Sequence, residues 1–288
     1  MQTFCTHYLK LIWGKSLKIL GGTGTAPPEK AIVASAGHKS GRREHTTRMN
    51  ERRELALEAL ETAGVKGERV RLSGAVEMTR HDVEDGGLRP KGRYMTLTMN
   101  GAKWGEDAVR GIEHALDLLR RENRLKKGRV LVAGLGNRNL LCDRFGWDVA
   151  DKTIPSERLA TFCPMVKEQT GLESADTLRA IADLWKPDLV LAVDALVCKN
   201  PKYLLDTVEL SDAGLTPGGG VGRPKKGIDK ESMGVPTWYL GVPTLSFVNP
   251  WESALCVTRE DIVKKNAEAV EAVAAGIMRV FAEKGGDK

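Results

Sequence analysis

The hydrophobic pattern of the chain is dominated by two short apolar runs, each followed by an aspartate. The first, Arg129–Ala133, continues through the glycine turn Gly134-Leu135-Gly136 towards Asp143, and the second, Pro187–Val193, ends on Asp194. Apolar, β-branched runs of this length are typical of strands buried on both faces. We therefore predict two parallel strands that present both aspartates at one edge of a sheet, the edge where open α/β sheets bind ligands.

The remaining apolar positions predict helices alternating with strands. Helices are predicted at Asn50–Ala63, in a stripe from Ala108 to Leu119, at Arg144–Lys152 as a short helix or turn, from a Ser174 cap to Pro187, and after a capping box at Thr258–Asp261. Further strands are predicted at Arg69–Thr79, Gly92–Met99, Leu159–Phe162, Thr207–Ser211 and Val235–Val242. Strand–helix–strand connections of these lengths require parallel pairing. The pattern therefore predicts an α/β fold, a three-layer, mostly parallel twisted sheet flanked by helices.

The first 48 residues differ in composition from the rest. They hold eight Lys or Arg against two Glu, which accounts for the whole formal charge of +6 and leaves the other 240 residues neutral. We expect residues 1–48 to be a disordered extension, or a non-native one if the natural start is Met49. Residues 49–288 are predicted to form a single α/β domain. A neutral body gives no argument for direct binding of nucleic acid.

Hydropathy and cysteine usage bear on the compartment. No apolar run approaches the roughly 18 residues of a membrane helix, so we expect a soluble, cytoplasmic protein without membrane association. The five cysteines form neither a CxxC pair nor a zinc spacing, which fits core positions in a reducing compartment. Cys142 could instead be a nucleophile, but His81 or His114 would have to activate it, because no histidine follows His114.

The candidate chemistry centres on the two aspartates. The Gly134-Leu135-Gly136 turn is a weak dinucleotide motif, because Asn139 stands where a third glycine is needed, and we predict no cofactor and no metal. Ionising two carboxylates that lie close together is unfavourable, so one of them keeps its proton. The ionised group could then activate water, and the protonated group could protonate a leaving group. On spacing alone, an equally good interpretation is that Asp143 caps a helix and Asp194 anchors a turn.

Two polar segments could hold a substrate near the pair. Lys167–Gly171 is predicted to be a polar loop that could lie over the site. Asp212–Gly222 is glycine-rich, and it could be either a flexible hinge or a surface of backbone N–H groups that face a peptide or an anion.

Five motifs in a fixed order add a family resemblance. They are Leu131–Asn137; Pro164–Glu173; Lys186–Leu189 running on to Asp194–Leu196; Ser211–Gly222; and Gly234–Pro236 with Gly241–Thr244. In this order they resemble the germination proteases of spore-forming bacteria, over roughly Asn50 to Phe247. The resemblance implies a phosphorylase/hydrolase-like α/β fold similar to that of the hydrogenase-maturation proteases. It also implies an endopeptidase that degrades small acid-soluble spore proteins in the spore core, made as a zymogen and assembled as a homotetramer.

The family's two active aspartates fall on Asp143 and Asp194. The candidate substrate-binding residues are Gly134, Gly136, Asn137, Gln169, Thr170, Asp212, Gly218, Gly220 and Gly222. The chain departs from the family at Cys142-Asp143-Arg144, where the family has Pro-Asp-Ala, and at Gly219, which replaces a serine. No clear self-cleavage segment precedes Arg52–Ala56. Two alternative hypotheses are a catalytically inactive homologue that only binds spore proteins, and a nickel-dependent maturation-type protease, against which the absence of histidine after His114 argues.

Overall fold

The structure, a computed structural model, describes residues 55–84, 88–126, 128–215, 226–249 and 252–282, and also residues 32–35. For residues 32–35, 248–249 and 252–255 it describes the backbone alone. The predicted disorder of residues 1–48 therefore lies outside the described residues, except at Ile32–Ser35, which form a strand.

The described residues form ten strands and seven helices. The strands are β1 (Ile32–Ser35), β2 (Glu68–Ser73), β3 (Val76–Val83), β4 (Gly92–Thr98), β5 (Val130–Gly134), β6 (Leu159–Phe162), β7 (Leu189–Cys198), β8 (Thr207–Ser211), β9 (Thr237–Asn249) and β10 (Glu252–Thr258). The helices are α1 (Ala56–Thr62), α2 (Glu106–Glu122), α3 (Phe145–Lys152), α4 (Lys167–Thr170), α5 (Ser174–Trp185), α6 (Lys230–Met233) and α7 (Ile262–Phe281). One 3-10 turn covers Pro201–Tyr203.

All ten strands belong to one mixed sheet. Its order is β2-β3-β4-β8-β9-β7-β5-β6, and β10 extends it from β9 with β1 paired to β10. The four strands β9, β7, β5 and β6 are parallel, as the two apolar runs predict, whereas the remaining pairings are antiparallel. The α/β fold is therefore confirmed, with its parallel part confined to the four strands that carry the candidate site.

Helices cover both faces of the sheet and make three layers. One face packs against α2, α3 and α7 in the larger apolar cluster, which includes Leu116, Phe145 and Val273. The other face packs against α1, α5 and α6 through Leu60, Leu178 and Met233. Strand β7 shows the division, because Leu191 and Val193 belong to the first cluster, whereas Val190 and Ala192 belong to the second.

Three local predictions are wrong. The segment Arg69–Thr79 is not one strand but the hairpin β2–β3, because Gly74 takes a φ of 50° and turns the chain. Ser174 does not cap α5; it is the first helical residue, and its hydroxyl donates to the Met165 carbonyl. The capping box before α7 does not form either, since Thr258 donates to the Thr244 carbonyl instead.

Candidate active site

A tight turn places Asp143 against the end of β5. Gly136, two residues beyond the strand, has a φ of 96°, and a Cβ there would lie 1.9 Å from the Asp143 carbonyl oxygen. Only glycine therefore permits this close approach of two backbone segments. Gly136 thus sets the path of the chain that carries Asp143.

Hydrogen bonds fix the Asp143 carboxylate in that turn. The Asn137 N–H donates to Asp143 Oδ2 at 2.9 Å. The buried Asn137 side chain is held in its turn, because its Oδ1 accepts from the Asn139 N–H at 3.0 Å and from Gln169 Nε2 at 2.9 Å. Helix α4, which carries Gln169, forms a single turn where the sequence predicts a loop. The structure therefore joins Gln169, Asn137 and Asp143 in one chain of hydrogen bonds.

The same turn adjoins the strand that carries Asp194. The Leu135 N–H donates to the Val193 carbonyl at 2.8 Å, which sets Leu135 level with Asp194 on the neighbouring strand. A Cβ on Gly146, at the start of α3, would lie 2.1 Å from the Val193 carbonyl oxygen. The Thr244 hydroxyl on β9 donates to the Cys142 carbonyl at 2.5 Å. The backbone on both sides of Asp143 is therefore packed against the strands around Asp194.

Asp194 lies inside β7, not beyond its end as the sequence predicts. The strand continues to Cys198, because Ala195–Cys198 keeps pairing with β9. The Asp194 side chain is 1% exposed, and its Oδ1 accepts from the Ala195 N–H at 2.9 Å. Asp143, in contrast, is half-buried. The interpretation that Asp194 anchors a turn is therefore wrong, and so is a cap by Asp143, because α3 has Arg144 at its N-cap and no side-chain cap bond.

Asp194 belongs to a buried polar layer. Two neighbouring cross-strand rows run from β3 to β7. The first contains Thr79, Thr96, Glu209, Gly241 and Asp194, and the second contains His81, Tyr94, Ser211, Tyr239 and Ala192. Every polar member of these rows is buried. Because a covered sheet face is normally apolar, a polar layer of this extent marks a place where the sequence departs from simple folding rules, as functional sites do.

Glu209 is the charged centre of this layer, and sequence reasoning missed it. The sole signal was a glutamate in the middle of the short strand Thr207–Ser211. Its carboxylate accepts from the N–H groups of Ala56 and Leu57 at 2.6 and 3.2 Å, and from the Tyr239 hydroxyl. Complete burial raises the pKa of Glu209, although the positive charge of Arg89 and these hydrogen bonds oppose the shift. Burial likewise raises the pKa of Tyr239.

The remaining predicted substrate-binding residues take different places. Gly134 allows α3 to pack on β5, since a Cβ would lie 2.4 Å from the Gly146 carbonyl oxygen. The Thr170 hydroxyl bonds only within its own turn among the hydrogen bonds of the described residues, with Val166 and Leu172. Gly218, Gly220 and Gly222 lie outside the described residues.

Asp212 is separated from the aspartate pair. Its carboxylate accepts from the Arg93 N–H at 2.7 Å, from Arg93 Nη1 at 2.9 Å and from Asn123 Nδ2 at 2.9 Å. Asn123 caps α2, so Asp212 faces the helix layer opposite the Asp194 side chain. The structure therefore does not bring Asp212 to the candidate site, and its predicted substrate contact gains no geometric support.

Within the described ranges, no group of three or more His, Cys, Asp or Glu side chains is arranged to hold a metal ion. None of the helices described is both long and apolar enough to cross a membrane.

Burial raises the pKa of the thiols of Cys163 and Cys256 to about 11 in each case. Neither thiol therefore has the lowered pKa that activates a nucleophilic cysteine.

Comparison with known proteins agrees with these features. The sequence model of the family described as germination protease matches residues 38–255. The germination protease of Oceanobacillus iheyensis is 34% identical over 180 residues, 55% of this chain and 49% of the relative. Those of Caldanaerobacter subterraneus and Bacillus subtilis are 31% identical over 231 residues (67% of this chain, 68% of the relative) and 29% over 215 (65% and 58%). The chain thus spans about half to two thirds of the length of these relatives. The family model covers well over half of the chain and includes both aspartates, so the chain belongs to the germination protease family.

Proposed function

We propose that this protein is an endopeptidase that hydrolyses small acid-soluble spore proteins during spore germination, with Asp143 and Asp194 acting on a water molecule. Membership of the germination protease family supports the peptidase activity. One observation carries the assignment of the aspartates. The Asp143 turn, held by Gly136 and Asn137, packs against the strand segment that contains Asp194.

The proposed reaction needs one protonated and one ionised carboxyl group. The proposed mechanism requires the two carboxylates to lie close enough for their repulsion to keep a proton on one of them. The ionised group takes a proton from water as the water oxygen attacks the peptide carbonyl carbon. The protonated group then gives its proton to the departing amide nitrogen as the C–N bond breaks. The two groups exchange roles, so a further proton exchange with solvent restores the pair.

We propose that the substrate binds at the rim of this site, that is, at the exposed residues around Asp143, such as Gln169. Gln169 is an exposed residue whose amide donates to Asn137 Oδ1, so we propose that its remaining donor and acceptor contact a peptide backbone. Asn137 and Gly136 support the Asp143 turn. We keep the glycine loop with Gly218, Gly220 and Gly222 as a proposed peptide-binding surface.

We further propose a cytoplasmic protein of the spore core that assembles as a homotetramer. Both proposals come from the family resemblance. The order of the five motifs supports them, whereas the divergent residues around Arg52–Ala56 leave processing of a zymogen as an open hypothesis.

The test is cleavage of a purified small acid-soluble spore protein, followed by mass spectrometry of the fragments. Asp143→Asn and Asp194→Asn should each lower the rate by several orders of magnitude while the fold is retained, because each removes a carboxyl group from the pair. Asp188→Asn is the matched control. Asp188 precedes the same strand at its opposite end and accepts only from the Arg129 N–H among the described hydrogen bonds, so this variant should remain active.

Full activity in either site variant would overturn the aspartate mechanism. A wild-type protein that binds the spore protein without fragmenting it would favour the inactive homologue. Stoichiometric nickel in the active protein would favour the maturation-type alternative.

A further inference from the structure

Glu209 and Asp194 lie in one row of the sheet, on the face covered by α1. Both residues pair with Gly241, Glu209 from β8 and Asp194 from β7. Gly241 has no side chain, and the Leu196 side chain fills the space above it, with atoms 2.5 to 2.8 Å from where a Cβ would stand. The Leu196 side chain therefore lies over Gly241, between Glu209 and Asp194 in the row. Because Leu196 and Asp194 are on the same strand, the packing of Leu196 helps to fix the position of Asp194.

The start of α1 covers the Leu196 side chain. Leu55 and Leu57 pack in one buried cluster with Leu196. The Leu55 N–H also donates to the Val197 carbonyl at 3.0 Å, three residues beyond Asp194. The first turn of α1 therefore fixes the part of β7 that follows Asp194.

Glu209 holds that turn in place. Its Oε2 accepts from the N–H groups of Ala56 and Leu57 at 2.6 and 3.2 Å, and its Oε1 accepts from the Tyr239 hydroxyl. The two backbone N–H groups can only donate and they share Oε2, so an acceptor is required at this position. A carboxylate near the N-terminus of a helix is also favourable for the helix dipole.

A second carboxylate completes the attachment from the opposite side. Glu58 of α1 accepts from the N–H groups of Lys199 and Asn200, both at 2.7 Å. The helix is thus bound to the sheet by reciprocal hydrogen bonds, one carboxylate from each side. Two buried carboxylates, Glu209 and Glu58, therefore hold the seven-residue helix α1 on the sheet.

We propose that Glu209 is a positioning residue for the peptidase reaction, which seats the first turn of α1 on Leu196 and thereby fixes Asp194. This inference rests on the proposed function. Glu209 acts through α1 and Leu196 and touches no reacting atom. Loss of its carboxylate should lower kcat and leave KM nearly unchanged, because it alters the alignment of Asp194 and leaves the exposed rim intact.

The first test is Glu209→Met, which removes the acceptor of the Ala56 and Leu57 N–H groups and keeps a side chain of similar length, assayed by steady-state cleavage of a small acid-soluble spore protein at a temperature where the variant is fully folded. We expect kcat to fall about tenfold or more, with KM within about twofold of wild type. The control is Trp104→Phe, which removes a buried hydrogen bond to the Leu205 carbonyl in the other apolar cluster. It should lower the melting temperature and leave kcat within about twofold.

A second variant removes the contact without changing Glu209. Ala56 is the first residue of α1, where proline is tolerated, and Leu55 before it has φ −51° and ψ 119°, which suits a residue preceding proline. Ala56→Pro therefore replaces the donor of the 2.6 Å hydrogen bond with a ring carbon, which also displaces the Glu209 carboxylate from the helix start. It should reproduce the loss in kcat, and native-state hydrogen exchange should be faster in the peptide that contains Asp194–Cys198.

The outcomes distinguish a failure of the positioning role from a failure of the proposed function. An active wild type whose Glu209→Met and Ala56→Pro variants keep full kcat overturns the positioning role alone. A fall in kcat matched by Trp104→Phe at equal loss of stability also overturns it, since the effect would then follow from stability. A wild type that does not cleave overturns the proposed function, and the positioning role with it.

Discussion

Gly136 shows how a residue without a side chain positions a candidate catalytic group. The Asp143 carbonyl oxygen occupies the space of the absent Cβ, and the φ of 96° is one that other residues rarely adopt. The sequence pattern Gly134-Leu135-Gly136 predicted a turn of this kind. It could not predict that Asp143 is the group brought against the turn, because that contact depends on how α3 packs.

Gly136→Ala should therefore destabilise the protein and impair cleavage together. We expect a loss of about 2 to 4 kcal/mol in the free energy of unfolding, from backbone strain plus overlap with the Asp143 backbone. Chemical denaturation measures it. Gly171→Ala is the control, since Gly171 has a similar φ of 77° but open space around its missing Cβ. It should lose only about 1 kcal/mol, and equal losses in the two variants would argue against the close approach.

At the scale of elements, apolar runs were predicted well and polar interruptions were not. The strands β5, β6 and β8 and the helix stripe of α2 follow their patterns directly. The sequence pattern places the end of β7 too early, because an aspartate after an apolar run normally ends a strand, whereas here Asp194 is buried and the strand continues to Cys198. The side of the sheet that Asp212 faces was likewise unpredictable, since it depends on the register between β4 and β8.

Close packing of α2 on α7 gives a prediction at this scale. A Cβ on Gly276 of α7 would lie 2.6 Å from the Ile112 side chain of α2, with the branch carbon at 3.0 Å. Gly276→Ala should therefore destabilise the protein by about 1 to 3 kcal/mol despite the better helix propensity of alanine. In the matched helical variant Gly111→Ala the nearest atom is a Val76 methyl at 3.2 Å, so its cost should be smaller by thermal denaturation. A more stable Gly276→Ala protein would contradict this packing.

For the whole molecule, the buried polar layer links stability to pH. Burial lowers the pKa of His81 from 6.5 in spite of the nearby Glu61 carboxylate. The unfolded chain then binds the proton at higher pH than the folded one, so this histidine's contribution to stability is lost as the pH falls below about 6.5. The stability of the wild type relative to His81→Asn should therefore decrease from about pH 7.5 to about pH 5.5. Urea unfolding at several pH values measures it, and a constant difference would show that His81 does not titrate differently on folding.

More of the fold than of the candidate site can be predicted from the sequence. Both aspartate strands, their parallel pairing and the family were accessible from pattern and motifs. The polar layer was not, because its members come from five strands and only the sheet order β3-β4-β8-β9-β7 brings them together. Glu209 and Asp194 lie in one row, on either side of Gly241, for this reason alone.

The central claim is that Asp143 and Asp194 act as one unit. The most direct measurement is a double-mutant comparison of spore-protein cleavage by Asp143→Asn, Asp194→Asn and the combined variant, with folding verified for each. A pair that shares one water molecule predicts that the combined variant loses about as much rate as either single variant. Multiplied losses in the combined variant would show two independent residues, and would contradict the account.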